Sequence, residues 1–317
     1  MLRYLARRLL LMIPVLIGIT FIVFALLAFA PGNFVSLMLS SGVVNPDAVA
    51  RIRNELGTTQ PWGARYLHYL AGLARGDLGR SIVFDQPVAR QIVQAFPNTV
   101  ILTVAATMFA LSIAMAAGTI SAVKRNTVVD YAAMLVSVGG VSVPSFWLGL
   151  VLLLWFGLEL HWLPIGGGGV GSLQNGGWDF LSHLILPAVT LGAELAALLT
   201  RLVRNTLLDV LSEDYIRTAR AKGLGGVTVL TRHALKNALL PVVTTVGVQF
   251  GGLLGGAVII ETIYAWPGMG LLTVTAIQQR DLPVVQGTVL VFAVCFVFIV
   301  LLTDLLYVAI DPRIHYD

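Results

Sequence analysis

Six long stretches almost free of charge constrain this chain more than any other feature. Residues 9–30, 99–123, 131–158, 237–260 and 282–303 contain no Asp, Glu, Lys or Arg, and residues 180–200 contain Glu194 and His183 but are otherwise uncharged. A helix needs about 20 apolar residues to cross the hydrocarbon core of a bilayer. Each run is long enough, and the last continues past Asp304 toward residue 310. A backbone in lipid must satisfy its own hydrogen bonds, so these runs read as helices and not as open sheets. None alternates with the period of two that a membrane barrel requires. The expectation is an all-α membrane protein with six spanning helices.

Composition supports this class. The 317 residues are 57% apolar and 11% charged, whereas soluble domains run near a quarter charged. The net charge of +4 is not gathered on a soluble basic domain, which argues against a nucleic-acid partner. Cys295 is the single cysteine and sits in an apolar run, so no disulfide forms within the chain; it reads as a small lipid-facing or packing residue without a redox role. The first run follows Arg3, Arg7 and Arg8 and ends in Ala28-Phe29-Ala30, which resembles a secretory signal. Its apolar core exceeds the usual 7–15 residues of a signal, so it is expected to stay as an anchor.

Basic residues set the orientation. With the N-terminus in the cytoplasm, 13 Arg and Lys face the cytosol, including Lys124, Arg125, Arg201, Arg204 and the group from Arg217 to Lys236. Seven face outward, six of them in the long segment between the first two spans, and long segments translocate largely regardless of charge. Both termini are expected in the cytoplasm.

The outer segment, 31–97, reads as short helices. Asn45-Pro46 starts one with Ala48, Val49 and Ile52; Pro61-Trp62 starts another with Tyr66, Tyr69, Leu70 and Leu73; Pro87 starts a third with Val88, Ile92, Val93 and Phe96. This pattern suits a cap on the spans and a docking surface for an external partner equally. The cytosolic segment, 201–236, carries Ser212-Glu213-Asp214, read as an N-cap followed by first-turn acids. Arg217, Arg220 and Lys222 follow toward the negative end, and Gly223 supplies a stop. The pattern predicts a helix of about ten residues, roughly 15 Å long, that is marginal alone and must lean on something. After Leu224-Gly225-Gly226, a second helix with Val227, Leu230, Ala234 and Leu235 on one face leads into the fifth span. A merely topogenic loop would need the charges but not two helices.

At this segment the chain resembles a known family. SEDYIRTARAKGL (212–224) followed by RHALKNALLPVVT (232–244) is similar to the cytoplasmic loop of binding-protein-dependent ABC importer permeases. ETIYAWPGMG (261–270), RDLPVVQG (280–287) and DLLYVAIDPRI (304–314) extend the likeness over nearly the whole chain and narrow it to the first permease of the dipeptide, oligopeptide, glutathione and nickel branch. Arg217 stands where the broad pattern has a glutamate six residues before the glycine, and Pro241 lies five residues late; the peptide branch shares both departures. The resemblance implies a type I permease fold, N-in and C-in, with a first span (1–30), an outer helical segment (31–97), a five-helix core (98–310) and a cytosolic tail (311–317). It implies that Glu213, Asp214, Tyr215, Arg217, Thr218, Ala219, Arg220, Ala221, Lys222, Gly223 and Leu224 form a coupling helix seated on a separate ATPase. It implies a bacterial plasma-membrane location, a second homologous permease, two ATPase subunits that carry ATP and Mg, and an external solute-binding protein.

The chain has no nucleotide site of its own. A phosphate loop needs Gly-Lys, and the three lysines follow Val123, Ala221 and Leu235. No metal-ligand motif and no paired nucleophile and base occur, so neither a catalytic residue nor a resident metal is expected. In the fifth span Gly247, Gly251, Gly252, Gly255 and Gly256 recur at spacings of four, which lets helices approach closely. They read either as packing within the chain or as the seam with the second permease, which the resemblance favours. Glu194 lies 14 residues into the fourth span, where an ionisable group is costly and tends to be functional. It reads as a carboxylate for the amino end of a peptide in transit, as a partner for a neighbouring helix, or as a group reaching toward Arg201. His183 and Glu261 are expected near outer ends where water reaches them, with Trp266-Pro267-Gly268 forming a turn beneath the outer gate. A secondary transporter working alone would be expected to show internal repeats and several paired intramembrane charges. No repeat is evident, and Glu194 alone lies deep. Within the importer reading the substrate is a short peptide, with glutathione, nickel chelates and opine- or sugar-like solutes as alternatives.

Overall fold

The computed structural model describes residues 2–29 and 60–310. The expected helix start at Asn45-Pro46 and the C-terminal Arg313 lie outside these. Among the described residues the regular structure is helical, apart from one isolated bridge between Arg80 and Pro87. The helices are α1 (Leu2–Phe29), α2 (Trp62–Ala74), α3 (Val88–Val123), α4 (Val128–Ser142), α5 (Ser145–Leu152), α6 (Gly177–Leu211), α7 (Asp214–Ala221), α8 (Leu235–Ile263), α9 (Met269–Gln278) and α10 (Leu282–Ile310). All six charge-poor runs are helical. The stretches Val88–Val123, Gly177–Leu211, Gly226–Ile263 and Leu282–Thr303 are long and apolar enough to cross a membrane, and α1 is a 28-residue helix with an apolar stretch at Leu10–Leu26.

The third run departs from its expected form. It is not one straight span but two helical pieces, Val128–Ser142 and Ser145–Glu159, bent by 103°. The cause is Pro144, whose ring disfavours a helical conformation in the residue before it. Val143 is extended at φ −84°, ψ 123°, and Pro144 follows at φ −60°, ψ 133°. Beyond α5 the chain continues as a π-helical turn, Leu153–Glu159. A second departure is at Pro87. The helix it opens does not stop before the membrane run but continues through Pro97 as the 36-residue α3.

The chain forms two compact units, Met1–Pro97 with Gly268–Val297, and Asn98–Pro267 with Phe298–Asp317. In the first, α2 lies on α1. Tyr66 donates to the Ile17 carbonyl at 3.1 Å and meets the Thr20 hydroxyl at 3.1 Å, within a ring cluster of Phe21, Phe24, Trp62 and Tyr69. The start of α3 packs on α9 and α10 through Val88, Ile92, Met269, Val284 and Val285. There the buried Asp281 carboxylate accepts from the Ser81 hydroxyl and from the Ile82 and Val83 amides at 3.2 and 3.3 Å, which pins the turn before α3.

In the second unit α6 is the central helix. It meets α4, α5 and α8, and two thirds of its apolar window is buried. Small residues set how closely α3 approaches it. Ala106, Ala110 and Ala114 are fully buried at i, i+4 spacing on α3. A Cβ on Gly192 would stand 2.5 Å from the Ala106 carbonyl oxygen, and one on Gly118 would stand 2.8 Å from the Thr200 carbonyl oxygen. Backbone meets backbone at both points, so neither neighbour can yield as a flexible side chain would.

Candidate coupling and translocation site

The segment after α6 folds as the short helix α7. Ser212 does not cap α7. It closes α6 in a helical conformation and donates to the Asp209 carbonyl at 2.7 Å. Glu213, extended at φ −67°, ψ 149°, is the residue that opens α7. The helix therefore has 8 residues instead of ten, about 12 Å in length. Its acidic start is kept, since Asp214 occupies the first turn and pairs with Arg217 at 3.3 Å. Its end is a Schellman motif: the Gly223 amide donates to the Arg220 carbonyl at 2.9 Å and the Leu224 amide to the Ala219 carbonyl at 3.4 Å. Gly223 sits at φ +80°, where only glycine is unstrained, so the stop expected there is present.

The helix leans on the ends of the spans. Ile216 is fully buried and Ala219 nearly so, among Ala122, Leu207, Val229, Ala234 and Ala238. Glu213, Asp214, Tyr215, Arg217, Thr218, Arg220, Ala221, Lys222, Gly223 and Leu224 are exposed. The Tyr215 hydroxyl accepts from Asn237 Nδ2 at 2.8 Å, a tie to the start of α8. The link back to α8 differs from the expected helix. Gly226–Thr228 makes one α-turn and Val229–Ala234 a π-helical one. That wider turn changes which residues face inward. Val229 and Ala234 are buried, while Val227 is 77% exposed. A π-turn is often a place of functional adjustment.

An ion pair that the sequence reading did not single out joins α6 to α4. Arg204 on α6 grips Asp130 at the start of α4 through both guanidinium edges, Nε to Oδ1 at 2.6 Å and Nη2 to Oδ2 at 2.7 Å. The Ser121 hydroxyl and the Asn126 amide also donate to this carboxylate, which is 1% exposed. α3, α4 and α6 are thereby tied at one point. A signal was present: an acid at the mouth of an apolar run, and an arginine amid the Leu and Val of α6.

Elsewhere in the same unit, the 261–267 segment is anchored by the buried Glu261, Tyr264 and Trp266. Trp266 is completely buried and donates through Nε1 to the Asn98 carbonyl at 3.0 Å. Asn98 donates back to the Pro267 carbonyl at 2.8 Å and accepts from the Val170 amide at 2.7 Å. Tyr264 donates to the Gly149 carbonyl at 2.9 Å, and its own carbonyl accepts from the Gly167 amide at 2.8 Å. A Cβ on Gly166 would stand 2.7 Å from that carbonyl. Glu261 is a correction. It is not water-accessible but 0% exposed, because it turns inward to accept from the Thr99 hydroxyl at 2.6 Å. His183 is partly buried, with its ring Nδ1 2.7 Å from the Asp179 carbonyl.

The five glycines of α8 fall into two sets. Gly251 is buried, a Cβ on Gly247 would stand 2.5 Å from Thr303, and one on Gly256 would meet Leu191 at 3.5 Å. Gly252 and Gly255 face open space, flanked by the exposed Val248 and Ile259. Glu194 is exposed on an otherwise buried part of α6, and among the described residues it makes no hydrogen bond or ion pair, including with Arg201.

The profile of a family described as "Binding-protein-dependent transport system inner membrane component" matches residues 114–316, and that of its N-terminal part matches residues 1–103. The chain belongs to this family of ABC importer permeases. The permease is 42% identical over 334 residues to the "Dipeptide transport system permease protein DppB" of Alkalihalophilus pseudofirmus. It is 42% identical over 320 residues to the "Glutathione transport system permease protein GsiC" of Escherichia coli strain K12. Each alignment covers 100% of both chains. Among solved structures, a chain of the MetNI methionine ABC transporter in an inward-facing conformation aligns with TM-score 0.56 and 20% identity over 70% of the permease and 97% of that chain. A chain of an amino acid ABC transporter aligns with TM-score 0.52 and 12% identity over 69% and 94%. These likenesses show the fold, and the permease is a multi-pass protein of the bacterial inner membrane.

Proposed function

We propose that this permease moves short peptides into the cytoplasm as one half of a translocation pathway, driven through α7 by ATPase subunits that bind ATP and Mg. The observation that carries the reading is the construction of α7. An exposed polar helix, fixed by buried Ile216 and Ala219 and stopped at a left-handed glycine, is a stiff lever that can transmit a partner's motion to α6 and α8. The full assembly is read as this chain, a second homologous permease, two distinct ATPases and an external solute-binding protein. Gly252 and Gly255, whose faces are open, are the glycines suited to the permease–permease seam.

Replacing Gly223 with glutamate tests the lever. No atom lies within 4 Å of a Cβ at this site, so the variant inserts and folds; its strain comes from the positive φ, about 1–2 kcal/mol, and from an acid at the negative end of α7. In proteoliposomes containing the whole importer, ATP hydrolysis persists and uptake falls sharply. Normal uptake by this variant would sink the assignment of α7.

The dipeptide and glutathione systems named among the relatives both handle a small solute with a free ammonium group. Glu194, exposed in mid-span, is suited to receive it. A lost charge-assisted hydrogen bond of this kind is worth roughly 1.5–3 kcal/mol, so Glu194→Gln raises the KM for uptake by about tenfold or more. An unchanged KM and rate would leave Glu194 a structural residue. Glutathione is the second reading, favoured by a full-length relative as similar as the dipeptide one.

A further inference from the structure

We infer that the permease carries a site for the headgroup of an anionic phospholipid, in a groove between α7 and the ends of α3 and α6. This groove has a volume of about 630 Å³, and its lining includes Arg125 and Arg220 but no carboxylate. Among the described residues neither guanidinium takes part in an ion pair or a side-chain hydrogen bond. Of the acids near it in the chain, Asp130 is held by Arg204, Asp214 pairs with Arg217, and the exposed Asp209 and Glu213 stand outside the groove's lining. The groove therefore presents two unneutralised cations to whatever enters it.

Its walls point to a lipid. Val123 is 58% exposed and Val227 is 77% exposed, with Leu208, Leu211 and Leu230 behind them. Val123 ends the apolar run of α3, and Lys124-Arg125 follow at once, so the groove lies where hydrocarbon gives way to water. This is also the side that the distribution of basic residues assigns to the cytosol. Basic pockets between helix ends on that side suit anionic headgroups, with the acyl chains against apolar walls. A phosphodiester bridging Arg125 and Arg220 would brace α7 against α3 and α6. The anionic lipid content of the membrane would then tune the seating of the lever.

The full-length permease, purified in mild detergent with its natural partner subunits, is titrated with phosphatidylglycerol, phosphatidylethanolamine and glycerol phosphate, and adducts are counted by native mass spectrometry. Phosphatidylglycerol is expected to bind at least about tenfold more tightly than either of the others. The double variant Arg125→Gln/Arg220→Gln is expected to weaken it about thirtyfold, from about fivefold for each basic group at an anionic surface. Arg125→Gln alone, at an exposed side chain that makes no ion pair or side-chain hydrogen bond among the described residues, should give the fivefold step and so separates lost binding from lost folding. Equal phosphatidylglycerol binding by the double variant overturns the site. Glycerol phosphate binding as tightly as the lipid overturns the lipid reading in favour of a free phosphate. No lipid adduct, together with carbodiimide-dependent crosslinking of an ATPase carboxylate to the amine of Lys124, next to Arg125 in the chain, overturns it in favour of a protein contact.

Discussion

Truncating Arg204 to alanine should destabilise the folded permease by about 3–5 kcal/mol, the cost of stranding a buried charge when its partner is removed. Asp130 is 1% exposed, and Arg204 supplies two of its hydrogen bonds; Ser121 and Asn126 supply the rest but carry no charge. A typical folded protein is stable by only about 5–15 kcal/mol, so the variant should lose a large share of its folded population and of its yield in membranes. Thermal or SDS-induced unfolding in detergent measures this. The informative comparison is the double variant Arg204→Ala/Asp130→Asn, which removes the stranded carboxylate. It should be more stable than Arg204→Ala alone by about 1–3 kcal/mol. Equal stability of the single and double variants would mean that the pair is not what holds this corner.

Truncating Trp266 to alanine should cost a comparable amount, about 3–5 kcal/mol, because a completely buried indole leaves a large cavity and the backbone around it cannot collapse to fill it. The segment is held on several sides, by Asn98 to Pro267 and to Val170 and by Tyr264 to Gly149 and to Gly167. Trp266→Phe keeps most of the volume but leaves the Asn98 carbonyl without its indole donor. It should cost about 1–2 kcal/mol, measured in the same unfolding experiment. If alanine and phenylalanine behave alike, the hydrogen bond matters more than the packing. A small loss for both would show that the 261–267 turn is not the anchor its burial suggests.

Much of the architecture was legible because lipid leaves the backbone few choices. Charge-poor runs of sufficient length must be helices, and all six are, the third with a break at Val143-Pro144. The Gly223 stop was legible for a similar reason, since a left-handed residue after a short amphipathic helix is a local steric matter. Legibility failed where a residue's role depends on what lies opposite. Ser212 is the better N-cap by residue type, yet Glu213 opens α7 because α6 runs on to Leu211 and takes Ser212 as its own closing residue. Glu261 looked like a wetted residue at the end of a span, yet its carboxylate turns toward Thr99 on another helix 162 positions away. Asp130 and Arg204 are 74 positions apart, so nothing local pairs them.

The sequence by itself determined the class of the protein: a chain 57% apolar and 11% charged, with six long apolar runs, has to live in a bilayer. The tertiary structure decided which small residues are contacts and which are free surface. Gly247, Gly251 and Gly256 are used within the chain, and Gly252 and Gly255 are left open. It decided, too, that the third span bends by 103° and that Glu194 has no partner among the described residues. The physical reason is the same in each case. Helix formation in lipid follows from local hydrogen bonding, whereas the direction a face points follows from how distant helices pack, and no single run of sequence contains that.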